Sequence, residues 1–299
     1  MTFSLLAAAY LFFGGVGAGT FCFSAIGDLL RHYAKVSTTV VTRGFGVAIA
    51  FLAAGVLCLI LDLGRPDQAI LVFLNPTLSY LSVGAFLLAS LMLIALALVL
   101  ARSLTRLEGR SVIAILIESL GIAIALGVMV YTGLLLRELR PVPLWSTPLL
   151  PVLFLLSSLA AGLDCFYLCA SPIDELSTPV RRQASQFTVL NLFLVIMEAL
   201  AAFLAVASIA TGIGAEIVPA NGVVATATSS VAALFGNSKG SIFVGGFVVL
   251  AIVIPIINDI AALRRASSPE IATIAAIASI AGCFCLRAGI VLAGIHIGV

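Results

Sequence analysis

Charge is scarce in this sequence. Asp, Glu, Lys and Arg make up 9% of its 299 residues and apolar side chains 62%, whereas about a quarter of a soluble domain is charged. At a mean hydropathy of +1.27, a water-soluble fold cannot hide the apolar surface, and no nucleic-acid partner is expected. The strict alternation of a membrane β-barrel is missing too. Runs such as Ala85 through Leu100 are rich in Leu and Ala throughout, so helices are the remaining way to satisfy the backbone in lipid. Histidine occurs twice, as His32 and His296. Their expected places at opposite membrane surfaces exclude a bis-His haem and a diheme cytochrome b. None of the six cysteines forms a CxxC or iron–sulfur spacing. Cys165 and Cys169 lie one helical turn apart and would need ligands from elsewhere, so no metal is expected in this chain.

What the sequence has instead is long apolar runs. A bilayer core needs roughly 20 consecutive apolar residues per helix, and the charges leave eight such runs uncut, near 3–30, 44–63, 78–101, 111–136, 147–170, 186–210, 241–263 and 271–297. The expectation is an all-α membrane protein: one integral domain over 1–299, eight spans in two four-helix bundles, and a weakly charged outer loop over 211–240. The first run lacks the basic flank of a signal peptide and reads as a retained span. Its Gly15-xxx-Gly19 spacing lets a neighbouring helix come close.

Lys and Arg are unevenly distributed over the connections. Those after the first, third, fifth and seventh spans hold ten, the other three hold four, and Arg287 lies inside the last span. Under the positive-inside rule the rich set is cytoplasmic and both termini lie outside. The outer connections then include the segment with Asp62 and Arg65 and the one with Arg137, Arg140 and Trp145.

Ionisable groups within lipid are costly enough to be functional hypotheses. They are Glu118, Asp164, Glu198, Asp259 and Arg287, whose depths permit a proton path across the bilayer. The alternative is structural: Arg287 pairs with one carboxylate, and Asn258, Asn191, Ser157 or Ser158 hold the others. Tyr10 and Tyr131 are expected at one depth near the outer surface, beside Asp62 and Arg65. An isoprenoid quinone needs such an apolar crevice with phenol, carboxylate or guanidinium at its ring oxygens. Aromatic-belt anchoring explains any single tyrosine equally well.

Several motifs fall in order along the chain: Tyr10-Leu-Phe-Phe-Gly-Gly-Val-Gly-Ala-Gly, Leu61-Asp-Leu-Gly-Arg-Pro, Tyr131-Thr-Gly-Leu-Leu-Leu, Pro143-Leu-Trp-Ser-Thr-Pro-Leu-Leu-Pro151, Glu198, and Leu286-Arg287. In this the sequence resembles the NrfD/PsrC family, the quinone-interacting membrane subunits of polysulfide-reductase-like complexes. The resemblance implies a haem-free subunit in a prokaryotic cytoplasmic membrane, working with its active loops outside. It would exchange electrons between menaquinol and an outer-face, ferredoxin-like four-cluster iron–sulfur subunit joined to a molybdopterin catalytic subunit. It also implies a quinone-contacting role for Tyr131, with Tyr10, Gly14, Gly15, Asp62, Arg65 and Arg137 around the head group. Two rivals remain on the sequence alone: a secondary transporter using the intramembrane carboxylates, and a passive anchor without quinone chemistry.

Overall fold

The computed structural model describes residues 5–30, 36–63, 80–105, 112–137, 145, 147–170, 178–211, 242–264 and 268–293. These form eight helices long and apolar enough to cross a membrane, with no strand among the described residues. They are α1 (Leu5–Leu29), α2 (Thr38–Leu63), α3 (Tyr80–Thr105), α4 (Val112–Arg137), α5 (Leu149–Ala170), α6 (Thr178–Thr211), α7 (Ile242–Leu263) and α8 (Pro269–Ala293). Helix α7 winds in wide π-type turns over Ile242–Val253 before tightening to α geometry over Ile254–Leu263, with Pro255 at the start of the tighter part. The expected outer loop over 211–240 lies, apart from Thr211 at the end of α6, outside the described residues.

The helices form two rings of four. In the N-terminal bundle α1 packs on α2 and α4, and α3 closes the ring between them; in the C-terminal bundle α5 packs on α6 and α8, with α7 between those two. Helices α1 and α5 also pack on each other, so they form the seam between the bundles. Glycine makes that seam possible. A methyl on Gly19 would strike the Ser158 carbonyl, and one on Gly162 would strike the backbone of Gly19. In lipid, where no hydrophobic force drives helices together, such backbone-to-backbone approach supplies the dispersion contact that does. Outward faces carry large exposed side chains such as Leu93, Leu116 and Phe203, as a lipid-facing surface should.

Candidate functional site

Helices α1 and α4 bring the two singled-out tyrosines together. The Tyr10 hydroxyl donates to the Tyr131 hydroxyl at 3.3 Å, and the residues are only 2% and 3% exposed. Both phenols therefore point into the bundle and not into lipid, as belt tyrosines would. Tyr131 lies directly on Gly84 of α3, where any side-chain carbon would overlap its ring. Gly14 faces Leu88 of the same helix. Sequence reasoning does not reach Gly84: it is a lone glycine in a Leu/Ala-rich span, and only the crossing of α3 over α4 shows what it makes room for. Asp62 and Arg137 stand exposed at the C-terminal ends of α2 and α4, the same end of the bundle as the tyrosine pair. Arg65 and Arg140 lie outside the described residues.

A different arrangement fills the C-terminal bundle. Asp259 on α7 accepts from the side-chain amides of Asn191 at 3.1 Å and Asn258 at 3.2 Å. Asp164 on α5 lies against the Ser279 hydroxyl of α8 and within electrostatic reach of both Asp259 and Glu198. Glu198 on α6 lies against the Ser157 hydroxyl. Asp164 Oδ2, Asn191 Oδ1 and Glu198 Oε1 are buried without a hydrogen-bond partner. All three are acceptors, and Asn191 and Glu198 lie two turns apart on α6, about 10 Å along its axis. A row of acceptors so spaced suits protons and bridging waters better than one coordinated ion.

Glu118 does not join that row. It sits on α4, about 20 Å along the helix from Tyr131, where Arg102 of α3 holds it at 2.7 Å and Asp28 of α1 at 2.9 Å through the same nitrogen. The guanidinium also lies 4.9 Å from the ring centre of Phe45 on α2, so every helix of the N-terminal bundle contributes. Arg102, counted in the sequence as a loop cation, is the last turn of α3 folded inward; Asp28, at the end of α1, is a functional-site candidate that the sequence alone does not single out. Between this triad and the tyrosines the bundle is filled largely by Phe21, Leu52, Leu91, Ala125 and Met129, and the buried Thr20 and Ser24 hydroxyls in that stretch of α1 donate to carbonyls of their own helix.

Arg287 on α8 is fully buried, yet pairs with no carboxylate among the described residues, contrary to the structural alternative above. Both ion pairs among the described residues belong to Arg102. The Arg287 nitrogens donate instead to the carbonyls of Leu11, Phe154 and Cys283, the hydroxyls of Ser157 and Ser158, and the Cys283 sulfur. The guanidinium lies 4.9 Å from the Phe154 ring centre. Gly15 clears the space: a methyl there would come within 2.8 Å of an Arg287 nitrogen. Arg287 thus ties α1, α5 and α8 at the seam, and its bond to Leu11 falls one residue from Tyr10.

His32 and His296 lie outside the described residues. Among the described residues no group of His, Cys, Asp and Glu is placed to hold a metal.

Similarity to known proteins extends along the whole sequence. The family model described as "Polysulphide reductase, NrfD" matches residues 1–298. The C subunit of the polysulfide reductase of Wolinella succinogenes is 29% identical over 173 residues, covering 52% of this protein and 54% of that one. The match therefore spans about half the length of that curated relative.

Proposed function

Because this chain belongs to the NrfD family of polysulphide reductase and is a multi-pass membrane protein, we propose that it is the quinol-interacting membrane subunit of a respiratory oxidoreductase. Menaquinol would bind near the Tyr10–Tyr131 end of the N-terminal bundle. Its electrons would pass to an iron–sulfur subunit docked on that face, and from there to a molybdopterin catalytic subunit. The charge distribution of the connections favours placing this face outside a prokaryotic inner membrane.

One observation carries the reading: two buried phenols, from helices that also form the seam and the ring, hydrogen-bond each other beside glycines of α1 and α3. A quinoid ring needs a flat slot, and a position without Cβ gives one. Its oxygens need groups able both to donate and to accept, which hydroxyls are. Tyr131 and Tyr10 would hold the ring oxygens beside Gly14, while Gly84 makes room for the Tyr131 ring itself; when bound, quinol supplies two electrons and two protons. With Tyr10 donating to it, the Tyr131 hydroxyl keeps its own proton to donate. The two phenols can therefore hand a proton along the pair without leaving their places. Asp62 and Arg137, exposed at the ends of α2 and α4 around that mouth, would receive or steer it.

The row of Asp164, Glu198 and Asp259 supports a second element, proton transfer through the C-terminal bundle. Glu118, separated by the apolar layer and held in its triad, is left out of that path.

Replacing Tyr131 with Phe keeps the ring and removes the hydroxyl. Menadiol-dependent turnover of the purified complex should fall on the order of a hundredfold, while reduction of the catalytic subunit by an artificial dye stays at the wild-type rate. Undiminished menadiol turnover in the variant overturns the site.

A further inference from the structure

The sequence groups Arg287 with the residues that could relay protons, and its chemistry forbids that. A guanidinium is not deprotonated in proteins and offers only donors. Here every bond it makes ends on a neutral acceptor: three carbonyls, two hydroxyls and a thiol. The guanidinium is therefore fully buried without a carboxylate in contact among the described residues.

A charge so placed is screened much less than one at the surface and acts over a longer range. The groups facing it can be named helix by helix. From α1 come the Leu11 carbonyl and the Gly15 backbone, with Tyr10 the adjoining titratable residue. Helix α5 presents Ser157, Ser158 and Phe154. Glu198 of α6 is reached through the Ser157 hydroxyl, which accepts from Arg287 and lies against the Glu198 carboxyl. Asp259 of α7 is turned to Asn191 and Asn258, and α8 itself supplies the Cys283 thiol. Nothing in that set neutralises the guanidinium on the side of α1.

We propose that Arg287 is a positioning residue for the head-group pocket. Through the Leu11 carbonyl it fixes the height of α1, and with it Tyr10, against α4; through its charge it makes the pocket favour ligands in their anionic form. The proposal rests on the reading of the Tyr10–Tyr131 end as a quinol site. The carbonyl that Arg287 holds belongs to Leu11, the residue next to Tyr10, whose hydroxyl meets Tyr131. A unit charge acting over about 10 Å at an effective dielectric near 20 shifts an acid equilibrium by about tenfold.

Lapachol, a prenylated hydroxynaphthoquinone whose acid and anion differ in visible colour, reads this without turnover. In the purified complex, bound lapachol should change colour at lower pH than the same compound in Arg287→Gln, by about one pH unit. Arg287→Lys, which keeps the charge but not the fork of donors, should stay within a few tenths of a unit of wild type. Should Arg287→Gln fail to assemble, Ser158→Asp leaves the arginine in place and sets a carboxylate against it at a contact now 2.7 Å long; it should shift the colour change in the same direction as Gln. An unshifted colour change in an assembled Gln or Asp variant overturns the proposal, as does a Lys variant shifted as far as Gln. If the quinol reading itself is wrong, the outcome differs: lapachol fails to bind the wild-type complex saturably.

Discussion

The two bundles handle polarity in opposite ways. The N-terminal bundle keeps its tyrosine pair at one end and the Asp28–Arg102–Glu118 triad at the other, with a layer between in which the buried Thr20 and Ser24 hydroxyls are taken up by carbonyls of their own helix. The C-terminal bundle strings Asp164, Glu198 and Asp259 through its interior, where three buried oxygens have no hydrogen-bond partner among the described residues, whereas in the N-terminal bundle Asp28 Oδ1 and Arg102 Nη1 are left so within the triad at its end. An acceptor left dry in a protein core costs about 1–3 kcal/mol. A proton or a bridging water at those in the C-terminal interior would offset that cost. Helices of similar composition thus hold their ionisable groups at the ends of one half and within the interior of the other.

The most drastic way to break the comparison is to separate the halves. Gly162→Leu would force a branched side chain against the backbone of Gly19, where no flexible side chain can yield. Overpacking of this kind costs about 3 kcal/mol or more. The expected outcome is loss of a monodisperse complex on size exclusion in detergent. A well-assembled Gly162→Leu protein would mean that the seam is not what joins the bundles.

A smaller effect tests the contrast within each half. Arg102→Ala leaves two carboxyls facing each other in the triad, one of them 1% exposed, and removing one partner of a buried pair costs about 3 kcal/mol. Asp164→Asn, by contrast, replaces an oxygen by an amide donor among unpartnered acceptors and should cost under about 1 kcal/mol. Thermal denaturation of the two purified variants decides the matter. If Asp164→Asn proves the more damaging, the carboxyl row is structural and the distinction between the bundles disappears.

How much of this is legible in the sequence follows the same line. Helix number and class are, because lipid imposes a length and a composition that can be counted directly. The meeting of Tyr10 and Tyr131 is legible as a shared depth, since counting residues from helix ends gives depth. Rotation about the helix axis is not given by such counting. For that reason Gly84 carries no signal in the sequence and Arg102 reads as a loop cation, although the last turn of α3 aims it inward at Asp28 and Glu118. The same limit applies to Arg287: its burial follows from its place in an apolar run, but its cradle of carbonyls and hydroxyls depends on how three helices cross. Asn191, Asn258 and Ser157 are recognisable as carboxylate partners because few other polar groups share their depth, whereas Ser158, expected in the same role, meets Arg287 instead.

The smallest expected effect belongs to Trp145, whose indole N–H donates to the Ile290 carbonyl of α8 at 3.0 Å while Thr147 and Ser208 join α5's approach to α6 at 3.2 Å. All these contacts lie in the C-terminal bundle, although Trp145 sits at the same membrane surface as the tyrosine pair. Trp145→Phe keeps an aromatic ring in a site 5% exposed and removes one hydrogen bond, worth about 1 kcal/mol. Its melting temperature should drop by a few degrees, and menadiol-dependent turnover should stay within about twofold of wild type, since one hydrogen bond outside the pocket does not alter the phenols. A collapse of turnover comparable to that of Tyr131→Phe would show that the pocket extends across the seam, and the division of labour between the bundles would have to be redrawn around α8.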